Sequence, residues 1–158
     1  MNYITCFQLK SYMSGTSVPC SIMGRIGNHN DGAVLKYPHA FGRGSEAWCA
    51  DFVSWVMTQS GKRFNNPYCP SIVNQLKTEG QWKGKHNPQA GDLVLFDWDH
   101  DGTSDHVGIV KSVNPDGSIQ TIEGNTNVQG EREGDGVYAK QRRMDLAGYY
   151  IRLNQPTS

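Results

Sequence analysis

The period of the hydrophobic pattern changes near residue 90, and this change constrains the fold more than any other feature of the chain. Before it, apolar residues recur at helical spacing, as they do from Trp48 to Val56. After it, short apolar runs are separated by turn residues, beginning with the LVLF run at residues 93–96. Helices followed by an antiparallel meander predict an α+β fold, with a helix packed against one face of the sheet.

Two helices are predicted before the change of period. The first has Ser45 as its N-cap and Glu46 in its first turn, where a negative charge suits the helix dipole. Gly61 is expected to end this helix as the C′ residue. The second helix is predicted over residues 71–79.

The strands of the predicted sheet follow residue 90. They are expected at residues 93–96, 106–113, 118–123, 137–139 and 148–153. A hairpin turn at residues 114–117 (NPDG) joins the second of these strands to the third, and residues 131–136 form a polar loop.

The length of 158 residues suits a single domain. The predicted core spans residues 45–153, and residues 154–158 form a tail. Residues 1–44 are expected to be a glycine-punctuated N-terminal segment of the same domain. Within that segment, residues 4–13 and 17–25 are candidates for short helices.

Composition excludes several classes of partner. The 15 basic and 15 acidic residues give a net charge of zero, which offers no electrostatic basis for binding nucleic acid or an anionic membrane. No segment approaches the run of about 20 apolar residues that spans a bilayer. The N-terminus lacks basic residues ahead of an apolar stretch, so no secretory signal is expected.

Three distant motifs supply the residue types of a thiol hydrolase. Cys49 lies near the predicted start of a helix, where backbone N–H groups and the helix dipole favour a thiolate. His106 begins a strand and is the candidate base. Glu123 and Asn125 lie two residues apart on the returning strand, and are the candidates to orient the imidazole. If the numbers of the two residues in each pair sum to 231, His106 lies opposite Asn125 and diagonal to Glu123.

Each of these residues also has a structural interpretation. A single cysteine in an apolar helix is usually a small core residue, and a single histidine at a strand start is usually structural. Their combination, in this order and on this architecture, favours catalysis.

The other three cysteines are Cys6, Cys20 and Cys69. No C-x-x-C pair occurs, so the spacing fits no zinc motif. Reduced thiols are the favoured interpretation, and a Cys6–Cys20 disulfide remains an alternative.

The acidic segment at residues 97–105 (DWDHDGTSD) matches the first half of a calcium loop. Its candidate ligands are Asp97, Asp99, Asp101, Thr103 and Asp105. The glutamate expected at the twelfth position is replaced by Gly108, and strands rather than helices flank the loop. Closely packed carboxylates repel one another without a cation, so bound Ca²⁺ is favoured over a solvated acidic turn, and Mg²⁺ suits such a cage less well.

Four motifs together resemble the CHAP family of cysteine, histidine-dependent amidohydrolases and peptidases. They are WCADFV at residues 48–53, GDLV at 91–94, DHVGIV at 105–110 and IEGNT at 122–126. The resemblance implies a papain-like fold, with Cys49 as nucleophile, His106 as base, and Glu123 and Asn125 as supporting residues. It also implies that residues 97–105 are the calcium-binding loop of some family members.

The resemblance further implies a peptidoglycan hydrolase that cleaves the N-acetylmuramoyl-L-alanine amide or a bond of the wall peptides. A monomeric phage endolysin or lysin domain is expected, made in the cytoplasm and reaching the wall by holin-type release or injection. Two alternatives stay open at this point. One is a cysteine peptidase or transferase acting on soluble protein, and the other is a non-catalytic, calcium-stabilised wall-binding module.

Overall fold

The computed structural model describes residues 24–25, 32–44, 47–59, 64–78, 82–84, 86–127, 129, 134–143 and 147–151. In chain order, these residues form β1 (Gly24–Arg25), a 3-10 turn (Gly32–Leu35), α1 (Lys36–His39), α2 (Cys49–Gln59), α3 (Cys69–Thr78), β2 (Trp82–Gly84), β3 (Leu93–Phe96), β4 (His106–Val113), β5 (Ile119–Thr126), β6 (Gly136–Arg142) and β7 (Ala147–Ile151).

The seven strands of the described residues form one sheet in the order β1-β6-β5-β4-β3-β7-β2. Every adjacent pair is antiparallel. Helix α2 packs against β4 and β5 in the middle of this sheet. The α+β class, with a cysteine-bearing helix on an antiparallel sheet, is therefore confirmed.

The predicted strand bounds agree best with the observed ones where the apolar runs are longest. Strands β3 and β4 have the predicted bounds, whereas β5 extends to Thr126 and β6 covers Gly136–Arg142 instead of residues 137–139. Strand β2 was not predicted, because three residues are too few to show alternation and its partner β7 is distant in sequence.

Three of the predicted helices need correction or fall outside the described residues. The candidate helix at residues 17–25 is wrong at its end, since Gly24 and Arg25 pair with β6 as a strand. The rest of it, and the candidate helix at residues 4–13, lie outside the described residues. Helix α3 begins two residues earlier than predicted, at Cys69.

Helix α2 begins at Cys49, four residues after its predicted N-cap. The carbonyl of Trp48 accepts the first helical hydrogen bond, from the Phe52 N–H at 2.9 Å. Trp48 itself is fully buried and stacks on Tyr37, with ring centroids 5.3 Å apart. Ser45 and Gly61 lie outside the described residues. The helix thus begins directly after the buried Trp48, and Cys49 lies in its first turn.

A glycine permits the close approach of α2 to the sheet. A Cβ atom added at Gly124 on β5 would lie 2.6 Å from the Cβ of Phe52 and 2.8 Å from the ring of Trp48. These atoms belong to buried side chains of the core and cannot move away cheaply. The contact sets the distance between the helix and the strand that carries Glu123.

The core continues on both sides of this contact. Tyr37 of α1 packs edge-to-face against Phe52, with centroids 5.3 Å apart, and Val34 lies in the same cluster. A smaller apolar cluster containing Phe96 and Val110 is separate from this core. Within the described part of the chain, no helix is both long and apolar enough to cross a bilayer.

We expect Gly124→Ala to destabilise the protein by about 1–3 kcal/mol, the usual cost of overpacking a core. The added methyl group would force α2 away from β5. Urea unfolding measures the effect. Gly44→Ala is the matched control, because a Cβ there meets nothing within 4 Å. Equal stability of the two variants would contradict the proposed role of the contact.

Candidate active site

Cys49 is the first residue of α2, where the backbone N–H groups have no partner within the helix. Its side chain is 5% exposed. The N-terminus of the helix directs partial positive charge at the sulfur, which favours the thiolate. The same N–H groups are available to a developing oxyanion.

His106 begins β4 and is completely buried. Its Nε2 lies 3.1 Å from Oε2 of Glu123. Its Nδ1 is buried and has no hydrogen-bond partner among the described residues. Nδ1 is thus the nitrogen left to exchange a proton, while Nε2 is held by the carboxylate.

The thiol and the imidazole shift each other's pKa. Hydrogen bonding to Cys69 lowers the pKa of Cys49 well below the usual thiol range; burial opposes this, and His106 and the Val107 N–H lower it further. Burial lowers the pKa of His106, but Cys49 and Glu123 outweigh burial and raise that pKa to about 9. A thiolate–imidazolium pair is the charge state that this arrangement favours.

The carboxylate of Glu123 has several donors around it and no exposure. Arg142 donates through Nε and Nη2, at 2.9 and 2.6 Å, and the Thr121 hydroxyl donates at 2.5 Å. Burial alone would raise the pKa of Glu123, but Arg142 and His106 bring it down to about 2. Glu123 therefore stays ionised and can stabilise the imidazolium of His106.

A second glycine makes room for this carboxylate. A Cβ atom at Gly108 would lie 2.8 Å from Cγ of Glu123. Ile109 pairs with Ile122 and Val110 pairs with Thr121. The numbers of each pair sum to 231, which is the register expected from the sequence. That register continued toward His106 places Gly108 opposite Glu123, so the side chain of Glu123 can cross diagonally to His106.

Asn125 departs from the expected geometry. Its φ of +55° is left-handed, and the pairing of β5 with β6 shifts register between Glu123 and Thr126. The simple alternation that would put Asn125 on the same face as Glu123 is therefore interrupted by a bulge. Asn125 is buried, and its Oδ1 accepts a hydrogen bond from the Gly134 N–H at 3.3 Å.

The acidic segment comes together in part. Ligand oxygens of Asp97, Asp99 and Asp105 lie within 4.8 Å of one another. Asp101 does not belong to this group; its Oδ1 accepts the Thr103 N–H at 2.7 Å. The backbone of the segment closes on itself, since the Gly102 N–H donates to Asp97.

An aromatic ring connects the acidic segment to the candidate base. Trp98 stacks on His106, with ring centroids 5.3 Å apart, and the backbone N–H of Trp98 donates to Oδ2 of Asp105 at 2.9 Å. The guanidinium of Arg142 lies 5.2 Å from the Trp98 ring on the same cluster. The position of His106 thus depends on the segment at residues 97–105.

The comparison with known families fits this geometry. The CHAP domain family matches residues 41–125, which is more than half of the chain. The chain belongs to the CHAP family. This confirms the family expected from the four motifs and supports the expectation of a hydrolase.

A solved structure is also similar to this CHAP domain. It is the N-acetylmuramoyl-L-alanine amidase from Staphylococcus aureus, with a TM-score of 0.48 and 21% sequence identity. The match covers 69% of this chain and 31% of that protein, so the chain spans about a third of its length. No curated relative matches the chain in sequence.

The CHAP site contains two side chains that the sequence did not point to. Arg142 lies in a polar stretch at the end of β6, and only the folded sheet brings it to Glu123. Cys69 lies with its Sγ 3.6 Å from Sγ of Cys49. In the sequence it stood two residues before a predicted helix, and only the structure extends that helix to Cys69.

We expect Cys49 to react with iodoacetamide as a thiolate well below pH 8.5, about the usual thiol pKa. His106→Asn removes the imidazolium that favours the thiolate, so the pH profile should move toward that of an ordinary thiol. The measurement is the alkylation rate of the Cys49 peptide against pH, by mass spectrometry, in a C6S/C20S background.

Cys69 is the internal reference in the same experiment. Hydrogen bonding to Cys49, burial and nearby negative charge raise the pKa of Cys69 well above the usual thiol range. It should therefore be alkylated more slowly than Cys49 near neutral pH. A Cys49 profile that His106→Asn leaves unchanged would contradict the ion pair.

Proposed function

We propose that this CHAP domain hydrolyses an amide bond of bacterial peptidoglycan, with Cys49 as the nucleophile. The bond is the N-acetylmuramoyl-L-alanine amide or a peptide bond of the wall peptides. The observation that carries the proposal is the buried series Cys49–His106–Glu123, in which a thiol, an imidazole and an ionised carboxylate influence one another in this order.

In the first half of the reaction, the Cys49 thiolate attacks the amide carbonyl carbon. The Cys49 N–H, which is free of helical bonding, donates to the oxyanion, and Asn125 is the proposed second donor. His106 then protonates the leaving amine from Nδ1, because its Nε2 is held by Glu123. The amine departs and a thioester remains on Cys49.

In the second half, His106 acts as a base. It removes a proton from a water molecule, which attacks the thioester carbonyl and releases the acid and the Cys49 thiolate. Glu123 keeps the imidazole oriented through both halves and stabilises its charged form. Arg142 and Thr121 hold the carboxylate in place, so they act through Glu123 and have no direct role in bond cleavage.

The setting proposed for this activity is a phage endolysin or lysin domain. The enzyme would be made in the cytoplasm and would reach the wall by holin-type release or by injection. The zero net charge of the chain gives it no electrostatic attraction to nucleic acid.

Cys49→Ala and His106→Ala should each abolish release of fragments from purified peptidoglycan while the protein stays folded. Each removes a group that forms or breaks a bond, so the loss should be in kcat. Val113→Ser is the matched control, because Val113 is exposed at the opposite end of β4 from His106. Mass spectrometry of the fragments identifies the bond. Substantial cleavage by Cys49→Ala would refute the mechanism.

The same preparations distinguish the other two functions. Casein cleavage without peptidoglycan cleavage would indicate a peptidase of soluble proteins. Wall binding that iodoacetamide does not affect, with no released fragments, would indicate a non-catalytic module.

We also propose that the segment at residues 97–105 binds Ca²⁺. Asp97, Asp99 and Asp105 fit the hard oxygen ligands that calcium prefers, and their oxygens are already close together. The backbone N–H groups of the segment hold these carboxylates, as the Gly102 N–H does for Asp97 at 3.0 Å. Backbone carbonyls such as that of Thr103, together with water, would complete the six to eight ligands that calcium usually takes.

A bound cation would neutralise the repulsion among these carboxylates. This neutralisation would affect the site through Asp105 and Trp98, because Asp105 precedes His106 and accepts a hydrogen bond from the backbone N–H of Trp98. Trp98 in turn stacks on the imidazole. The residues of the segment therefore position the base and take no part in bond cleavage.

Adding Ca²⁺ to chelator-treated protein should raise the melting temperature and change tryptophan fluorescence, and Asp99→Asn should reduce both effects. Asp116→Asn is the control, since this aspartate lies in the hairpin turn and its contacts are with Ser118. Calcium titration by calorimetry measures the affinity directly. Identical calcium responses in the two variants would rule out the site.

A further inference from the structure

A second thiol touches the nucleophile. Sγ of Cys69 lies 3.6 Å from Sγ of Cys49, and each cysteine is the first residue of its helix. The two side chains are 6% and 5% exposed. The hydrolytic mechanism uses Cys49 and leaves Cys69 without a bond-making role.

We propose that Cys49 and Cys69 form a reversible internal disulfide when the protein meets a small disulfide or peroxide oxidant. The bond is made by the two sulfurs that already face each other. The chemical step depends only on this geometry, whereas its effect on hydrolysis rests on the proposed function.

The geometry requires only a short movement. A disulfide bond is about 2.0 Å long, so the sulfurs must approach by roughly 1.5 Å. Both cysteines lie in first helical turns, where side-chain rotation can supply part of that distance. No helix has to unwind for the bond to form, because neither cysteine lies in a helix interior.

The segment before α3 is anchored to α2, which keeps Cys69 beside Cys49. The backbone N–H of Asn66 donates to the Ser54 hydroxyl on α2 at 3.0 Å. The side-chain oxygen of Asn66 accepts from the Tyr68 N–H at 3.1 Å and from the Ser71 hydroxyl at 2.5 Å. These bonds fix the start of α3 relative to α2, so the proximity of the thiols is built into the fold.

The reaction balances with a disulfide as oxidant. The Cys49 thiolate attacks one sulfur of RSSR, forming a mixed disulfide and releasing one RS⁻. The Cys69 thiol loses its proton and attacks the Cys49 sulfur, which releases the second RS⁻. Both cysteines are oxidised and RSSR is reduced to two thiols. With a peroxide, Cys49 becomes a sulfenic acid and Cys69 displaces water from it.

The electrostatics of the pair suit this order of events. While Cys49 is a thiolate, its charge and hydrogen bond keep the pKa of Cys69 high, so Cys69 stays protonated. Once Cys49 is in a mixed disulfide, the thiolate charge is gone, so the largest cause of the raised Cys69 pKa is removed while burial and Asp105 remain. Cys69 then becomes the better nucleophile at the moment when it is needed. The resulting bond ties up the sulfur that attacks substrate.

The test uses the full chain with Cys6→Ser and Cys20→Ser, so that only the two site thiols remain. Dilute protein is treated with oxidised glutathione and digested without reduction. Trypsin cuts after Lys62 and Arg63, between the two cysteines, so a disulfide joins two otherwise separate peptides. We expect this linked pair, a protein mass lower by about 2 Da, and a loss of wall cleavage in proportion to the linked fraction, all reversed by dithiothreitol.

Cys69→Ser in the same background is the matched variant. It should keep a glutathione adduct on Cys49, because no resolving thiol is present. With peroxide, it should proceed to oxidised forms of Cys49 that dithiothreitol does not reverse. Circular dichroism checks that it folds, and Cys69→Ala replaces it if it does not.

The outcomes separate this proposal from the hydrolase itself. A stable glutathione adduct in the two-thiol protein, or only intermolecular disulfides, would overturn the internal bond while wall cleavage by the reduced enzyme still stood. A linked peptide pair in a protein that never cleaves peptidoglycan would support the disulfide and refute the proposed function.

Discussion

The distance between α2 and β5 is the constraint on which the rest of the site depends. Gly124 lets Phe52 and Trp48 rest directly on the strand, and no side chain with a Cβ fits there without displacement. Because Cys49 follows Trp48 and Glu123 precedes Gly124, the same contact sets how far the thiol lies from the groups on the sheet. The spacing between the thiol and the side chains of the sheet is thus a consequence of core packing.

Burial then determines how the charges must be arranged. His106 and Glu123 are fully buried, and Arg142 closes the series from the other side. Arg142 supplies the charge that compensates the buried Glu123 carboxylate, and removing the partner of a buried ion typically costs about 3–5 kcal/mol. Each group therefore stabilises the charged state of its neighbour, and together they stabilise the Cys49 thiolate at the end of the series.

The reactive sulfur also depends on backbone geometry. Two helices begin at Cys49 and Cys69, and the two thiols lie 3.6 Å apart at these helix starts. Trp98 of the acidic segment stacks on the imidazole of His106. The site consequently joins three separate parts of the chain, and a change in any one alters the environment of the sulfur.

The sequence by itself determined the order of helices and strands, the bounds of β3 and β4, and the pairing of a cysteine with a histidine and a glutamate. These follow from local periodicity, turn residues and motif spacing, which act over a few residues. It could not determine the start of α2, the bulge at Asn125, the short strand β2, or the contacts of Arg142 and Cys69 with the site. These features depend on contacts between residues that are distant in sequence, and such contacts exist only in the folded chain. They include the burial of Trp48, the pairing register of β5 with β6 and the approach of α3 to α2.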